Sequence, residues 1–170
     1  MKTLVAYMSE TGNTRKIAEA IFDGLDGEKE LKPIAEVASL AGYDLAFLGF
    51  PIQQMGPDKR AARLLARHCV DGRPVALFIT HASPEDSPDL PSMLAKFRAA
   101  ARGAHLVGLF DCQGALAPGI KRMMSIMPSA RLRRWAREDS SQGQPDASRL
   151  ARARLFAHSV TESFAAATRG

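Results

Sequence analysis

Long hydrophobic runs are missing from this 170-residue chain. No stretch approaches the roughly 18 consecutive apolar residues of a spanning helix, which argues against an integral membrane protein. Cysteine is scarce: Cys69 and Cys112 sit far apart, in no CxxC or metal-ligand spacing. Two such residues make no disulfide framework, so they read as buried thiols of a reduced compartment, and no metal site is expected. There is one tryptophan and there are two tyrosines. The Walker-A pattern fails for want of GK[ST], and the dinucleotide pattern GxGxxG is absent. The apolar stretch Leu4–Tyr7 is too short for a signal peptide and is ended by Ser9-Glu10, which makes the cytoplasm the expected location. With 46% hydrophobic and 24% charged residues, the composition is that of an ordinary globular protein. The length fits a single domain over 1–170.

Acidic residues are rare in one region. Residues 118–154 hold nine of the 23 Lys and Arg side chains and only Glu138, Asp139 and Asp146 as acids. That segment carries +6 of a net +5, so the remainder is close to neutral. A block of this kind marks a local electrostatic surface.

Four apolar runs are continuous where a half-exposed strand would alternate: 3–7, 45–50, 75–80 and 105–110. Continuous runs imply strands covered on both faces, as in a parallel sheet between helix layers. A fifth, weaker strand fits Leu31–Val37, and Pro33, which cannot donate to a ladder, places it at an edge. Helical stripes lie between them, over Thr14–Leu25, Asp58–Cys69 and Ser92–Ala101. A last stripe of Leu150, Ala153, Ala157, Val160 and Phe164 follows Asp146 as N-cap. Alternating strands and helices joined by right-handed crossovers predict a doubly wound α/β sandwich. Residues 113–145 interrupt the pattern as a basic insertion with one or two short helices.

Directly after the first strand comes Ser9-Glu10-Thr11-Gly12-Asn13-Thr14, and then a helix begins. Consecutive backbone N–H groups, the hydroxyls of Ser9, Thr11 and Thr14, and the helix N-terminus make this an anion site. Gly12 lets the backbone approach a phosphate closely. No lysine or arginine lies within the loop, so neutral donors would hold the anion. The alternative is a serine/threonine helix cap with no ligand.

Tyr7-Met-Ser-Glu-Thr-Gly-Asn-Thr14, in this position between strand and helix, resembles the FMN 5′-phosphate loop of the flavodoxin family. The resemblance covers essentially the whole chain. It implies a three-layer sandwich with a five-stranded parallel sheet of order 2-1-3-4-5, and FMN bound at the carboxyl ends of the strands, at the switch point. It also implies two further flavin-framing loops, Pro51-Ile52-Gln53-Gln54-Met55-Gly56 and Thr80-His81-Ala82-Ser83. In electron-carrier flavodoxins those loops usually contribute Trp and Tyr rings against the isoalloxazine. Neither loop has one here, which leaves Ile52, Gln53, Met55 and His81 as the bulky candidates. Met can cover a ring through its thioether, and Gln can hydrogen-bond the flavin edge. Gly56 reads either as a flexible carbonyl for the flavin N5–H or as plain turn chemistry. His81 reads either as a charge that tunes the flavin or as a loop histidine with no role. Cys112, at the end of the fifth strand, reads as a small buried hydrophobe.

The resemblance implies an electron-transferring FMN protein that works between a reductase and a partner enzyme and has no catalytic residue of its own. Two alternatives stand beside it. One is an FMN-dependent oxidoreductase acting on a quinone or a porphyrinogen-type substrate, since the insertion is similar in placement and composition to that of the flavodoxin-like protoporphyrinogen dehydrogenases. The other is a flavin-free accessory module. The arginine-rich insertion predicts redox partners with an acidic docking surface. It also allows peripheral membrane contact through 118–137, with Met123, Met124, Ile126 and Met127 facing lipid or packing on the sheet. It matches no nucleic-acid-binding motif.

Overall fold

The computed structural model describes residues 1–53 and 55–169, and Arg131 by its backbone alone. Five strands form one sheet: β1 (Lys2–Tyr7), β2 (Glu28–Pro33), β3 (Leu45–Pro51), β4 (Pro74–His81) and β5 (His105–Gln113). All neighbours pair parallel, in the order β2-β1-β3-β4-β5. The helices are α1 (Asn13–Asp23), α2 (Lys59–His68), α3 (Leu90–Ala100), α4 (Pro118–Ile126), α5 (Ala130–Arg137) and α6 (Ala147–Ala167). Among the described residues no helix is long and apolar enough to cross a membrane.

The continuous apolar strands follow from two cores, one on each face of the sheet. Leu4, Leu48, Phe50 and Leu77 point to one side, where Leu65 of α2 and Phe97 of α3 cover them. Val5, Phe47 and Phe78 point to the other, against Ile17 and Ile21 of α1 and Ala153, Ala157 and Val160 of α6. Cys69 and Cys112 are both buried, and burial pushes their thiols up to about 11 and about 12, so neither is a thiolate at neutral pH.

The weak strand expected at Leu31–Val37 lies earlier, at Glu28–Pro33, although its edge position is as expected. Its Glu28, Glu30 and Lys32 form a charged cluster with Lys2 and Tyr43, which suits an edge that must not recruit another strand. Ile34 and Val37, whose apolar character pointed to a strand, are buried from a short 3-10 turn at Ile34–Glu36 and its end.

Within the basic stretch, α4 and α5 pack on each other. Of the four apolar residues expected to share one environment, Met124 is buried, whereas Met123 and Ile126 are exposed. The order of this stretch rests largely on polar ties. Ser129 caps α5 by accepting from Leu132 N, and Arg133 donates to the carbonyls of Met127 and Pro128. Asp139 accepts from Lys121 Nζ at 2.9 Å and from both the N–H and the hydroxyl of Ser141. The fully buried Ser141 hydroxyl in turn accepts from Leu116 N at 2.8 Å.

Candidate functional site

Because all five strands run the same way, their carboxyl ends gather the loops after β1, β3, β4 and β5 at one edge of the sheet. The chain turns into α1 through Gly12, whose φ of 88° is left-handed and therefore favours glycine. Gly12 N donates to Ser9 Oγ at 3.1 Å, and no side chain caps α1. The first-turn N–H groups are thus left for a ligand or for solvent, at the positive end of the helix dipole. A Cβ added at Gly12 would meet no protein atom within 4 Å beyond the two adjoining residues.

Side chains next to this turn fix it to the neighbouring loops. Asn13 Nδ2 donates to Thr11 Oγ1 at 3.1 Å and, across the sheet edge, to the carbonyl of Ala115 at 2.7 Å. That second contact requires Gly114, because any Cβ there would lie 2.8 Å from Asn13 Cβ and Cγ. Thr14 Oγ1 and Thr80 Oγ1, both buried, share a hydrogen bond of 2.8 Å that joins α1 to the end of β4. The loop after β3 is joined to β4 by Ile52 N donating to Thr80 O at 2.7 Å.

These contacts enclose a cavity of about 130 Å³. Glu10, Thr11, Asn13 and Thr14 line it from the first loop, Pro51, Ile52 and Gln53 from the second, and Thr80, His81 and Ala82 from the third. Ala115, Leu116, Ala117 and Ile120 close it from the stretch after β5, and sequence reasoning assigned none of these four. The signal that could have found them is the pair Gly114 and Pro118, which ends the strand and starts a helix beside the site. Ser9 and Gly12 instead face a cleft on the other side of the turn, with Arg15 and Arg60. Met55 and Ser83 line a separate, larger cleft. Gln54 lies outside the described residues.

Gly56 exchanges two 3.0 Å backbone hydrogen bonds with Gln53, which makes it the closing residue of a tight turn. Met55 takes a φ of 65° in that turn, and its carbonyl accepts from Lys96 Nζ at 2.9 Å. His81 is buried: Nδ1 donates to the carbonyl of Ser83 at 2.9 Å, and Nε2 lies 3.2 Å from Asp111 Oδ2. It therefore braces the third loop from beneath and presents no open ring face.

The third loop is also held from α6. Glu85 Oε1 accepts from Arg149 Nε at 2.9 Å, Arg152 Nη2 at 2.7 Å and Gln113 N at 3.4 Å. Burial raises the Glu85 carboxyl, but the bonds from Arg152 and Gln113 outweigh it, and the net direction is downward. The folded value lies below the unfolded one. The clamp's contribution is therefore complete above the ordinary carboxylate range and is lost as pH falls through the lower, folded value. Thermal denaturation against pH should show Glu85→Gln already destabilised at neutral pH, with a smaller further loss on acidification than the unmodified protein. Equal acid losses in the two proteins would exclude the clamp.

A five-stranded doubly wound sheet with a glycine-entered, uncapped helix N-terminus at its switch point defines the class: a doubly wound α/β protein whose candidate site lies at the carboxyl ends of its strands. A family model for the flavodoxin domain matches residues 4–158. The flavodoxin-like domain-containing protein BilS of Clostridioides difficile strain CD3 is 30% identical over 171 residues, covering 94% of this chain and 96% of that protein. The chain belongs to the flavodoxin family. Oxidised flavodoxin 2 from Bacillus cereus shares the fold with a TM-score of 0.60 at 22% identity, over 96% of this chain and 99% of the other. A flavoprotein from Lactobacillus acidophilus NCFM, solved in complex with FMN, aligns with a TM-score of 0.54 at 22% identity, over 65% of this chain and 92% of that one.

Proposed function

We propose that this chain binds FMN and passes electrons between a reductase and a partner enzyme. The observation that carries the reading is the first-turn geometry of α1: an uncapped helix N-terminus, entered through a left-handed glycine, opens beside a cavity lined by all three loops that the family uses for its flavin. The residues fit the group. The N–H groups of the first α1 turn at Asn13 and Thr14, together with the hydroxyl of Thr11, would hold the phosphate in the small cavity, while Ser9 supports the turn by accepting from Gly12 N. FMN supplies the redox chemistry when bound; the chain orients it, shields it and presents it to a partner. No bond-making residue is needed for that task.

The charge supports a protein partner with an acidic surround. Ile120, Met123 and Ile126 of α4 are exposed beside Lys121 and Arg122, so apolar contact area and positive charge adjoin the rim of the site. Such a surface steers an acidic partner and weakens with salt. Purified protein mixed with FMN should retain the flavin through gel filtration and show its absorbance bands. A protein that stays colourless with added FMN overturns the reading. Turnover of a quinone or porphyrinogen by the yellow protein, with no protein partner present, replaces the carrier role with the oxidoreductase one.

A further inference from the structure

The cavity at the α1 N-terminus, at about 130 Å³, is smaller than the roughly 300–1,000 Å³ of cofactor pockets, so it fits the phosphate end of FMN and not the whole molecule. A second cleft of about 740 Å³ lies against the same two loops. Gln53 and Ala82 line the small cavity, and Met55 and Ser83 line the large one. The walls of the large cleft are mainly apolar: Met55, Pro84, Met93, Leu132 and Trp135. Its charged lining residues include Asp86, Glu138 and Arg134, the last two paired with each other at 2.9 Å. That composition rejects a phosphate and accepts a flat, uncharged ring.

Trp135, the only tryptophan in the chain, lies on α5. Of the phenylalanine, tyrosine and tryptophan residues among the described residues, it alone lines either cavity. The position of α5 is fixed at both ends. Ser129 and Arg133 tie its start, while Asp139 and Ser141 anchor the turn after it to Lys121 and Leu116. Gln113 of β5 donates to Ser140 Oγ at 3.0 Å in the same turn. The indole is therefore carried on a braced helix that faces the turn bearing Met55.

We propose that Trp135 is the flavin-stacking residue of this protein: the basic insertion supplies, from a helix after β5, the aromatic ring that the loops after β3 and β4 lack. The inference rests on the FMN reading above and adds where the isoalloxazine lies and what covers it. Met55 and Ser83 would meet the ring from the loop sides of the cleft. Because the indole face is electron-rich, it disfavours added negative charge on a stacked ring and draws the flavin's potential down.

Binding of FMN and of riboflavin, which shares the ring and lacks the phosphate, separates the possibilities. Trp135→Ala should weaken both ligands by the same factor, about tenfold or more, and Trp135→Phe should stay within about threefold of the unmodified protein. The midpoint potential of bound FMN should move positive in Trp135→Ala. Loss of binding in both variants alike, with circular dichroism showing that α5 has unfolded, marks Trp135 as structural and overturns the stacking role. Unchanged affinity for both ligands in a folded Trp135→Ala protein overturns it while leaving FMN binding intact. If the unmodified protein binds neither ligand, the inference and the functional reading fall together.

Discussion

Replacing Gly12 by valine will cost FMN far more than it costs the fold. At a φ of 88° a side chain with Cβ is strained by about 1–2 kcal/mol, and a branched one by more. Beyond the adjoining residues no protein atom lies within 4 Å of the added Cβ, so strain at that atom comes from the backbone conformation. The melting temperature should therefore fall by only a few degrees, on the order of 2–8 °C for a domain of this size. Binding suffers differently. The turn at Gly12 aims the N–H groups of the first α1 turn, and each charge-assisted hydrogen bond to an anion contributes roughly 1.5–3 kcal/mol. FMN affinity should drop more than about tenfold, with riboflavin much less affected. Equal weakening of the two ligands would show that this turn does not hold the phosphate.

The pair Thr14 and Thr80 gives the second large effect, and a double-mutant cycle isolates it. Their hydroxyls, 2.8 Å apart and buried, satisfy one another across the gap between α1 and β4. Thr14→Val leaves the Thr80 hydroxyl buried without its partner, at a cost of about 1–3 kcal/mol, and Thr80→Val does the same to Thr14. Removing both keeps the shape and strands neither group, so the double variant should be about as stable as the milder single one or better. Urea denaturation measures this directly. Additive losses in the double variant would mean that the two hydroxyls do not support each other. FMN affinity lost in Thr14→Val should not return in the double variant, since the first-turn hydroxyl is still missing.

Where the sequence predicted correctly, the signal was local. The unbroken runs behind β1, β3, β4 and β5 came from helices on both faces, a property each strand carries by itself. Asp146 caps as expected, accepting from Arg149 N at 3.0 Å, and Asp58, read as the first residue of its helix, is that helix's cap and accepts from Ala61 N at 2.7 Å. The turn Ser9–Thr14 was legible for the same reason: strand, glycine and helix follow one another without interruption. β2 was misplaced because Glu28, Glu30 and Lys32 put charge along an edge strand, so no apolar period marks it. The far wall of the site was harder to read. Ala115, Leu116, Ala117 and Ile120 reach it only because β5 ends beside α1, and the local pair Gly114 and Pro118 marks a strand end and a helix start without showing which site they adjoin. The burial of His81 was equally unreadable, because its brace, Asp111, stands 30 residues along the chain on the neighbouring strand.

The bond from Asn13 to the Ala115 carbonyl makes the start of α1 and the start of the basic stretch a single mechanical unit. An anion drawn to the α1 N-terminus would stiffen Asn13, and Asn13 holds the backbone from which α4 departs. On the proposed reading, a phosphate in the small cavity and the backbone leading into α4 would share one tie, the Asn13 side chain.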